Sequence, residues 1–259
     1  MSLTSFVVKK FVPLPKVESF QTYLFIGPHA DDIEIGAGAT VAQLTEQGKK
    51  VIFLICTDGR YGEALAGGLK GKQLAAKRRE ECIRSAKVLG VKDVRFLDLE
   101  DGGNYKKKDL LQGIAQVMEN VKPDIVFAPD PEVKTEAHVD HLNVGKAVKM
   151  LACLAPYPGI MKRYLGGQEI GIPVQAVAFY MTVSPNRFVK TKDKIQRQLK
   201  AIDCHASQYP KGSEASEQLK LYLKVRAADF GIRTLSPAAE GFRVLAQVHM
   251  HCLPEAEKL

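Results

Sequence analysis

Two short clusters of histidine and aspartate are the parts of this sequence best suited to chemistry. The first, H-A-D-D at residues 29–32, ends an apolar run, and the second, H-V-D-H, occupies residues 138–141. In a turn, His29 and Asp32 can face one point, whereas Asp31 points elsewhere and stays free for another task. Imidazole and carboxylate groups are ligands that a zinc ion takes in proteins. The first cluster therefore predicts metal ligands with a spare carboxylate beside them.

The second cluster offers two imidazoles and a carboxylate at the predicted start of a helix. His138 and His141 are three residues apart, so they share a helix face. One of them can bind a metal while the other acts on a substrate. Adjacent aspartates after a strand are often only turn and helix-capping residues, because their oxygens accept helix N–H groups. A second cluster at another strand end favours the metal interpretation over that simpler one.

Both clusters follow apolar runs that are typical of buried β-strands, at residues 23–26 and 124–128. A third such run, KVIFLICT, also ends in a polar turn, at residues 58–62. The carboxyl ends of parallel strands meet at one edge of a sheet, and α/β proteins bind ligands there. We therefore expect the polar turns to face one cleft.

The rest of the chain alternates helical and strand-like segments. Helices are predicted over residues 37–47, 73–89, 109–120, 193–206 and 213–230, and from 136–141 toward 154; further strands are predicted over 94–97, 176–181 and 242–249. This alternation predicts an α/β fold with a mostly parallel sheet and helices on both faces. We expect a single domain over residues 1–259, with the Gly- and Pro-containing segment 155–173 as a surface excursion.

Composition bounds the class of protein. With 46% hydrophobic and 25% charged residues in 259, the chain can bury a sizeable core. The cysteine count is odd and includes no C-x-x-C pair, which favours a reducing cytoplasm. The N-terminus lacks the pattern of a signal peptide, and no run of about 18 apolar residues predicts a membrane span.

The net charge of +8 permits nucleic-acid binding, but the basic residues are scattered. The lysines at residues 106–108 follow a Gly-Gly-Asn sequence and resemble a solvated loop tip, and no RNP-like pattern of aromatic residues accompanies them. We therefore predict no nucleic-acid partner. A dinucleotide site is also disfavoured, since the third glycine position after Gly36 and Gly38 is Val41.

Together, the two clusters resemble those of the LmbE/PIG-L family of zinc-dependent N-acetylglucosaminyl deacetylases. The likeness covers most of the chain and extends, in family order, to Cys56-Thr57-Asp58-Gly59, the Arg78-x-x-Glu81 helix ending in Leu89-Gly90, His205-x-Ser207-Gln208 and Ala239-Glu240-Gly241-Phe242. The family usually has proline between the histidine and the first aspartate, where this chain has Ala30. The chemically active side chains of both clusters are all present, so this departure affects the expected stiffness of the turn rather than the expected catalysis.

The resemblance implies a Rossmann-like three-layer α/β sandwich and a Zn²⁺ cofactor. It implies three zinc ligands: His29, Asp32 and His141. Three protein ligands leave a position open for water, whose pKa falls to about 7. Asp31 is then the expected general base, and it passes a proton to the leaving amine.

Three more residues receive roles from the same resemblance. His138 is expected to stabilise the oxyanion or to act as the acid, with Asp140 holding its ring by a hydrogen bond and favouring the imidazolium. Arg78, on the helix after the second strand, is expected to bind substrate, although a solvated helix residue is equally consistent with its position.

The expected substrate is a small amino sugar or its conjugate. Two other classes stay open: a metal-dependent hydrolase of another amide, and a non-catalytic Rossmann-like binding protein, which the presence of Asp31 disfavours. The C-terminal sequence VLAQVHMH alternates so that His249 and His251 share one face of an extended segment. These histidines are either surface residues or part of a subunit contact, which would require a homo-oligomer.

Overall fold

A seven-stranded sheet forms the centre of the computed structural model, which describes residues 3–251 and 253–258. Cys252, one of the five cysteines, lies outside the described residues. The strands in chain order are β1 Thr22–Gly27, β2 Lys50–Thr57, β3 Asp93–Leu99, β4 Ile125–Pro129, β5 Ala176–Tyr180, β6 Arg187–Lys190 and β7 Ala239–Ala246.

Helices connect most of these strands. They are α1 Leu3–Phe11, α2 Asp32–Glu46, α3 Gly71–Leu89, α4 Lys107–Val121, α5 Val139–Leu154, α6 Pro158–Met161, α7 Ile195–Ile202 and α8 Glu214–Thr234. Short 3-10 helices cover Val17–Ser19, Gln247–Met250 and Pro254–Lys258. Across the described residues, no helix combines the length and apolar character needed to cross a membrane.

The sheet order is β3-β2-β1-β4-β5-β7-β6, and the first five strands run parallel. β7 runs antiparallel to both of its neighbours, β5 and β6. The predicted mostly parallel sheet is therefore confirmed. Because β1 leads to β2 on one side and neighbours β4 on the other, the strand order reverses between β1 and β4. A crevice opens at such a reversal, at the carboxyl ends of the strands.

Two apolar clusters, one on each face of the sheet, confirm the three-layer α/β arrangement. The first contains residues of α2, α3 and α7, and the second contains residues of α4 and α5. The central strands are buried along most of their length, which explains their near-continuous apolar sequences. Gly90, at φ 87°, ends α3 in the left-handed conformation that glycine favours.

The start of α2 differs from the prediction, which began the helix at residue 37. The helix starts at Asp32, so the glycines lie within it rather than before it. A Cβ on Gly36 would lie 2.2 Å from Cδ2 of Tyr180, and one on Gly38 would lie 2.7 Å from Cγ of Gln198. The two glycines therefore let neighbouring side chains approach the helix closely.

The end of the chain also differs. The predicted strand over residues 242–249 ends at Ala246, and a 3-10 turn follows it. His249 is buried in that turn, where its Nδ1 accepts the N–H of Ala246 at 3.0 Å and its Nε2 lies 2.9 Å from the carbonyl oxygen of Val12. The extended face shared by His249 and His251 is therefore absent.

The sequence did not predict α1, α6 or β6, and it made α7 too long. The predicted surface excursion over residues 155–173 contains α6 and contributes Met161, Leu165 and Ile172 to the second apolar cluster. β6 is a short edge strand of four residues with one buried position, so its sequence carries little apolar signal. The predicted helix over residues 193–206 contains α7, which ends at Ile202. The remaining strands and helices lie within a few residues of their predicted positions, as is usual for element boundaries.

Candidate metal centre and active site

The turn after β1 and the first turn of α2 bring His29 and Asp32 together. The backbone N–H of His29 donates to Oδ2 of Asp32 at 2.7 Å, and ring atom Nδ1 lies 3.2 Å from the same oxygen. Both residues are buried. The carboxylate also occupies the helix N-terminus, where the helix dipole favours negative charge.

His141 reaches the same carboxylate from α5. Its Nε2 lies 3.2 Å from Oδ1 of Asp32, so one carboxylate stands between two imidazoles. Candidate ligand atoms of His29, Asp32 and His141 all lie within 4.8 Å of one another, a spacing that one metal ion can span. The structure therefore brings together the three residues predicted as metal ligands.

In each of the two imidazoles, the ring nitrogen that does not contact Asp32 lies close to a different carboxylate. Nε2 of His29 lies 3.2 Å from Oδ2 of Asp140, and Nδ1 of His141 lies 3.0 Å from Oε2 of Glu136. In metal sites such contacts fix the ring orientation and raise the basicity of the ligand. The site therefore fits a metal ion both in its three donor groups and in the carboxylates that support its imidazoles. Glu136, which supports His141, was not predicted from the sequence.

The charges of this group shift its pKa values. Burial lowers the pKa of His29, but hydrogen bonds to Asp140 and Asp32 outweigh it and raise the pKa to about 10. Burial raises the pKa of Asp32, but the bonds and charges of His141 and His29 bring it well below its usual value. The carboxylates around His29 therefore attract positive charge, either a proton on the imidazole or a metal cation in its place.

A second group of possible ligands, His29, His138 and Asp140, shares His29 with the first. In it, the Asp140 carboxylate is already engaged: Gly102 and Gly103 donate their N–H groups to it at 2.8 and 2.9 Å. Burial raises its pKa, but bonds from His29, Gly102 and Tyr105 lower it to about 2. Asp140 is therefore placed to orient the ring of His29.

His138 stands at the N-cap of α5 with nearly half of its side chain exposed. Its Nδ1 accepts the backbone N–H of Asp140 at 3.3 Å, whereas the Asp140 carboxylate is 3.8 Å away. The expected hydrogen bond from that carboxylate is thus replaced by one from the backbone. Burial, followed by the charges of His29 and His141, lowers the pKa of His138.

The tautomer of His138 follows from this contact. Because Nδ1 accepts a hydrogen bond, the neutral ring carries its proton on Nε2. The ring centroid lies 4.7 Å from that of His29 and 5.0 Å from that of His141. In this tautomer the Nε2–H group is a hydrogen-bond donor next to His29 and His141, two of the predicted metal ligands.

Asp31 caps α2 but makes no capping bond with its side chain. Its Oδ1 instead accepts a hydrogen bond from Nη2 of Arg78 at 3.1 Å, and both side chains are buried. Arg78 also donates to the carbonyl oxygen of Gly59 at 3.2 Å. The predicted base is thus held by the residue predicted to bind substrate, and substrate contact by Arg78 stays a prediction.

Polar side chains of helix α3 fix this side of the site through partners that the sequence did not reveal. Glu81 accepts the N–H and hydroxyl of Ser207, and Ser85 donates its hydroxyl to Glu34 at 2.5 Å. Glu34 also lies 3.1 Å from Nε2 of His205. These contacts join the first turn of α2 to the segment after α7, behind Asp31.

The loop after β3 lies on the side of the site that contains Asp140. Its two glycines, at φ 75° and 78°, place the N–H groups that hold Asp140. A Cβ on Gly103 would lie 3.0 Å from the side chain of Val139. The Gly-Gly pair at a strand end was the signal available in the sequence, but the sequence analysis used it only as the segment before the lysines at 106–108, which were predicted to form a solvated loop tip.

Comparisons with known proteins identify the family to which the region with both clusters is similar. The family described as "PIG-L: GlcNAc-PI de-N-acetylase" matches residues 24–152, which contain both clusters. The diacetylchitobiose deacetylase of Thermococcus kodakarensis is 35% identical over 233 residues, covering 90% of this chain and 86% of that protein.

Two further relatives act on related compounds, by their names. The 1D-myo-inositol 2-acetamido-2-deoxy-alpha-D-glucopyranoside deacetylase of Kineococcus radiotolerans is 29% identical, over 68% of this chain and 56% of that protein. The structure of N,N'-diacetylchitobiose deacetylase from Pyrococcus horikoshii superposes with a TM-score of 0.87 at 29% identity, over 100% of this chain and 98% of that one.

Proposed function

The chain belongs to the PIG-L (LmbE-like) family, and we propose that it is a zinc-dependent hydrolase that removes the N-acetyl group from an N-acetylglucosamine-containing sugar or conjugate. The observation that carries the proposal is the group of His29, Asp32 and His141, in which each imidazole is backed by a further carboxylate. Two nitrogens and one oxygen match the ligand set of catalytic zinc sites, which leave a fourth position open.

In the proposed reaction, water adds to the acetamide carbonyl, the C–N bond breaks, and acetate and a free amine result. Zinc, when bound, polarises that carbonyl and lowers the pKa of water. Asp31 accepts the proton of the attacking water and passes a proton to the leaving amine. Its contact with Arg78 supports this role, because the bond fixes the direction of the carboxylate.

His138 supplies the second proposed contact with the reacting group. The neutral ring presents its Nε2–H as a hydrogen-bond donor, and such a donor stabilises negative charge that develops on the carbonyl oxygen. Of the two roles predicted for His138, the structure supports that of oxyanion stabiliser. The proposed role of Asp140 is to orient His29, since its carboxylate lies closer to that ring.

Two other candidates remain, and one assay separates them from the proposal. The metal-loaded protein is incubated with N-acetylglucosamine, its β-linked dimer and an N-acetylglucosaminyl conjugate, and acetate and free amine are quantified together. We expect both products from at least one sugar, with Asp31→Asn as the control. Release of acyl groups only from amides that are not sugars would indicate another amide hydrolase. Binding of sugar without release would indicate a binding protein.

Several predictions about the wider context stay predictions. They are a single catalytic domain over residues 1–259, a cytoplasmic location and a homo-oligomer. His249 is buried against the chain's own backbone, so His251, which is exposed, is the histidine left for a subunit contact. Sedimentation of the wild type measures the oligomeric state.

A further inference from the structure

An exposed tyrosine beside the proposed active site is held by hydrogen bonds from both its backbone and its hydroxyl group. Tyr61, in the turn after β2, is 57% exposed. Its backbone N–H donates to Oδ2 of Asp101 at 3.3 Å, and its hydroxyl donates to Oε1 of Glu100 at 2.6 Å. Fixing a side chain in this way costs conformational entropy. The ring therefore presents its surface to solvent in a defined orientation.

The carboxylate that holds the hydroxyl is itself fixed. Glu100 also accepts hydrogen bonds from Asn104 at 2.6 Å and from Arg60 at 2.9 Å. Arg60 in turn donates through Nε and Nη2 to Oδ2 of Asp58, at 2.8 and 2.6 Å. The ring is thus anchored to the turn after β2 and to the loop after β3.

Other exposed tyrosines lack such support. Tyr157 is 51% exposed and Tyr222 is 53% exposed. Among the residues that the structure describes, neither hydroxyl has a hydrogen-bond partner. An exposed tyrosine alone needs no explanation, but rigid aromatic rings with a satisfied polar tip are typical of binding surfaces.

The position of Tyr61 ties it to both halves of the proposed site. Gly102 lies against its ring, because a Cβ there would be 3.8 Å from Cδ2, and the N–H of Gly102 holds Asp140 behind His29. On the other side, Gly59 of the same turn accepts a hydrogen bond from Arg78, which holds the proposed base. The ring therefore stands at the rim of the site, outside the metal ligands.

We propose that the ring of Tyr61 is a stacking platform for the sugar unit attached to the reacting N-acetylglucosamine. This inference rests on the proposed function. Contacts run from the Tyr61 ring to Gly102, from Gly102 to Asp140 and from Asp140 to His29, so the ring is more distant from the proposed metal ligands than these residues are. In the proposed arrangement the acetamide lies at His29 and Asp32, and the attached sugar unit extends toward the ring. The C–H face of a pyranose suits the negative face of an aromatic ring. A preference for substrates of two or more units follows.

The test compares N-acetylglucosamine with its β-linked dimer. Tyr61→Ala should lower kcat/KM for the dimer roughly tenfold more than for the monomer, mainly through KM, because stacking is lost. Tyr61→Phe keeps the ring and should retain the dimer preference within about twofold. Tyr222→Ala, on α8, removes an equally exposed ring and should leave the preference unchanged.

Zinc content and thermal unfolding accompany each kinetic measurement, and Tyr61→Leu serves if the alanine variant does not fold. Equal losses on monomer and dimer, or an unchanged dimer preference, would overturn the platform while leaving the deacetylase intact. A wild type that releases acetate from neither sugar would instead overturn the proposed function, and the platform with it.

Discussion

At the scale of single residues, the neighbouring carboxylates Asp31 and Asp32 have opposite surroundings. Asp32 lies between two imidazoles, and Asp31 lies against the guanidinium of Arg78. Helix geometry causes the separation, because Asp31 caps α2 and Asp32 begins it. Sequence predicted that the two side chains diverge, but the partner that holds Asp31 comes from 47 positions away.

This separation predicts different effects for the two substitutions. Asp31→Asn should preserve zinc binding while lowering kcat by about 10²–10⁴, because the proposed proton acceptor is lost. Asp32→Ala should lower zinc content and turnover together, because a proposed metal ligand is lost. Metal analysis and initial rates on the same samples provide the comparison. An Asp31→Asn variant with nearly full kcat would exclude Asp31 as the base.

At the scale of elements, α2 is held by side chains that interact with its backbone. Glu240 of β7 accepts the N–H groups of Ala39 and Thr40, at 3.1 and 2.7 Å. Gln198 of α7 donates to the carbonyl oxygen of Glu34 at 2.7 Å. These contacts fix the helix whose first turn carries Asp31 and Asp32.

The close packing of α2 predicts a cost for Gly36→Ala. The added methyl would overlap the ring of Tyr180, which is buried and donates its hydroxyl to the carbonyl oxygen of Ile26 at 2.8 Å. Overpacking should lower the free energy of unfolding by about 1–3 kcal/mol, although alanine is the better helix former.

Chemical denaturation measures this effect. Gly159→Ala is the matched control, because Gly159 also lies in a helix and has nothing within 4 Å of its Cβ position. Gly36→Ala protein as stable as the wild type would show that Tyr180 can move aside.

The buried carboxyl of Glu240 predicts a pH-dependent contribution to stability. Burial raises its pKa to about 6, from an ordinary value of 4.5, despite hydrogen bonds from Thr40 and Ala39 that lower it. Because the folded pKa exceeds the unfolded one, the folded state holds the proton more tightly. This proton therefore contributes about 2 kcal/mol to the free energy of unfolding at pH values below the unfolded pKa, and the contribution is lost as the pH rises through about 6.

The side chain in Glu240→Gln does not titrate, so a comparison of this variant with the wild type isolates the effect of the Glu240 proton. The free energy of unfolding of the variant, relative to the wild type, should rise by about 2 kcal/mol between pH 4 and pH 7. Urea denaturation of both proteins across this range gives the difference. Parallel pH profiles would show that Glu240 titrates at its ordinary pKa.

At the scale of the whole molecule, the site lies where the strand order reverses between β1 and β4. The sequence predicted this location because each polar cluster follows an apolar strand, and the carboxyl ends of parallel strands share an edge. It also predicted most elements, since their signals are local: apolar runs, periodic helix faces and Gly90 as a helix stop.

What the sequence did not reveal depends on pairs of residues that are far apart in the chain. Glu240 meets Thr40 across 200 positions, and His205 meets Glu34 across 171. Nothing in the local pattern of either residue specifies its partner. The same holds for Asp140, whose neighbours Gly102 and Gly103 are brought to it by the sheet.

In the proposed function, a metal ion held by His29, Asp32 and His141 is required for N-deacetylation. The most direct test of this claim is a zinc titration of the metal-stripped protein, with bound zinc and acetate release from N-acetylglucosamine or its β-linked dimer measured in each sample. We expect activity to rise in proportion to bound zinc and to level off at about one ion per chain, with His29→Ala losing both. Stripped protein that releases acetate as fast as the zinc-loaded protein would contradict the claim.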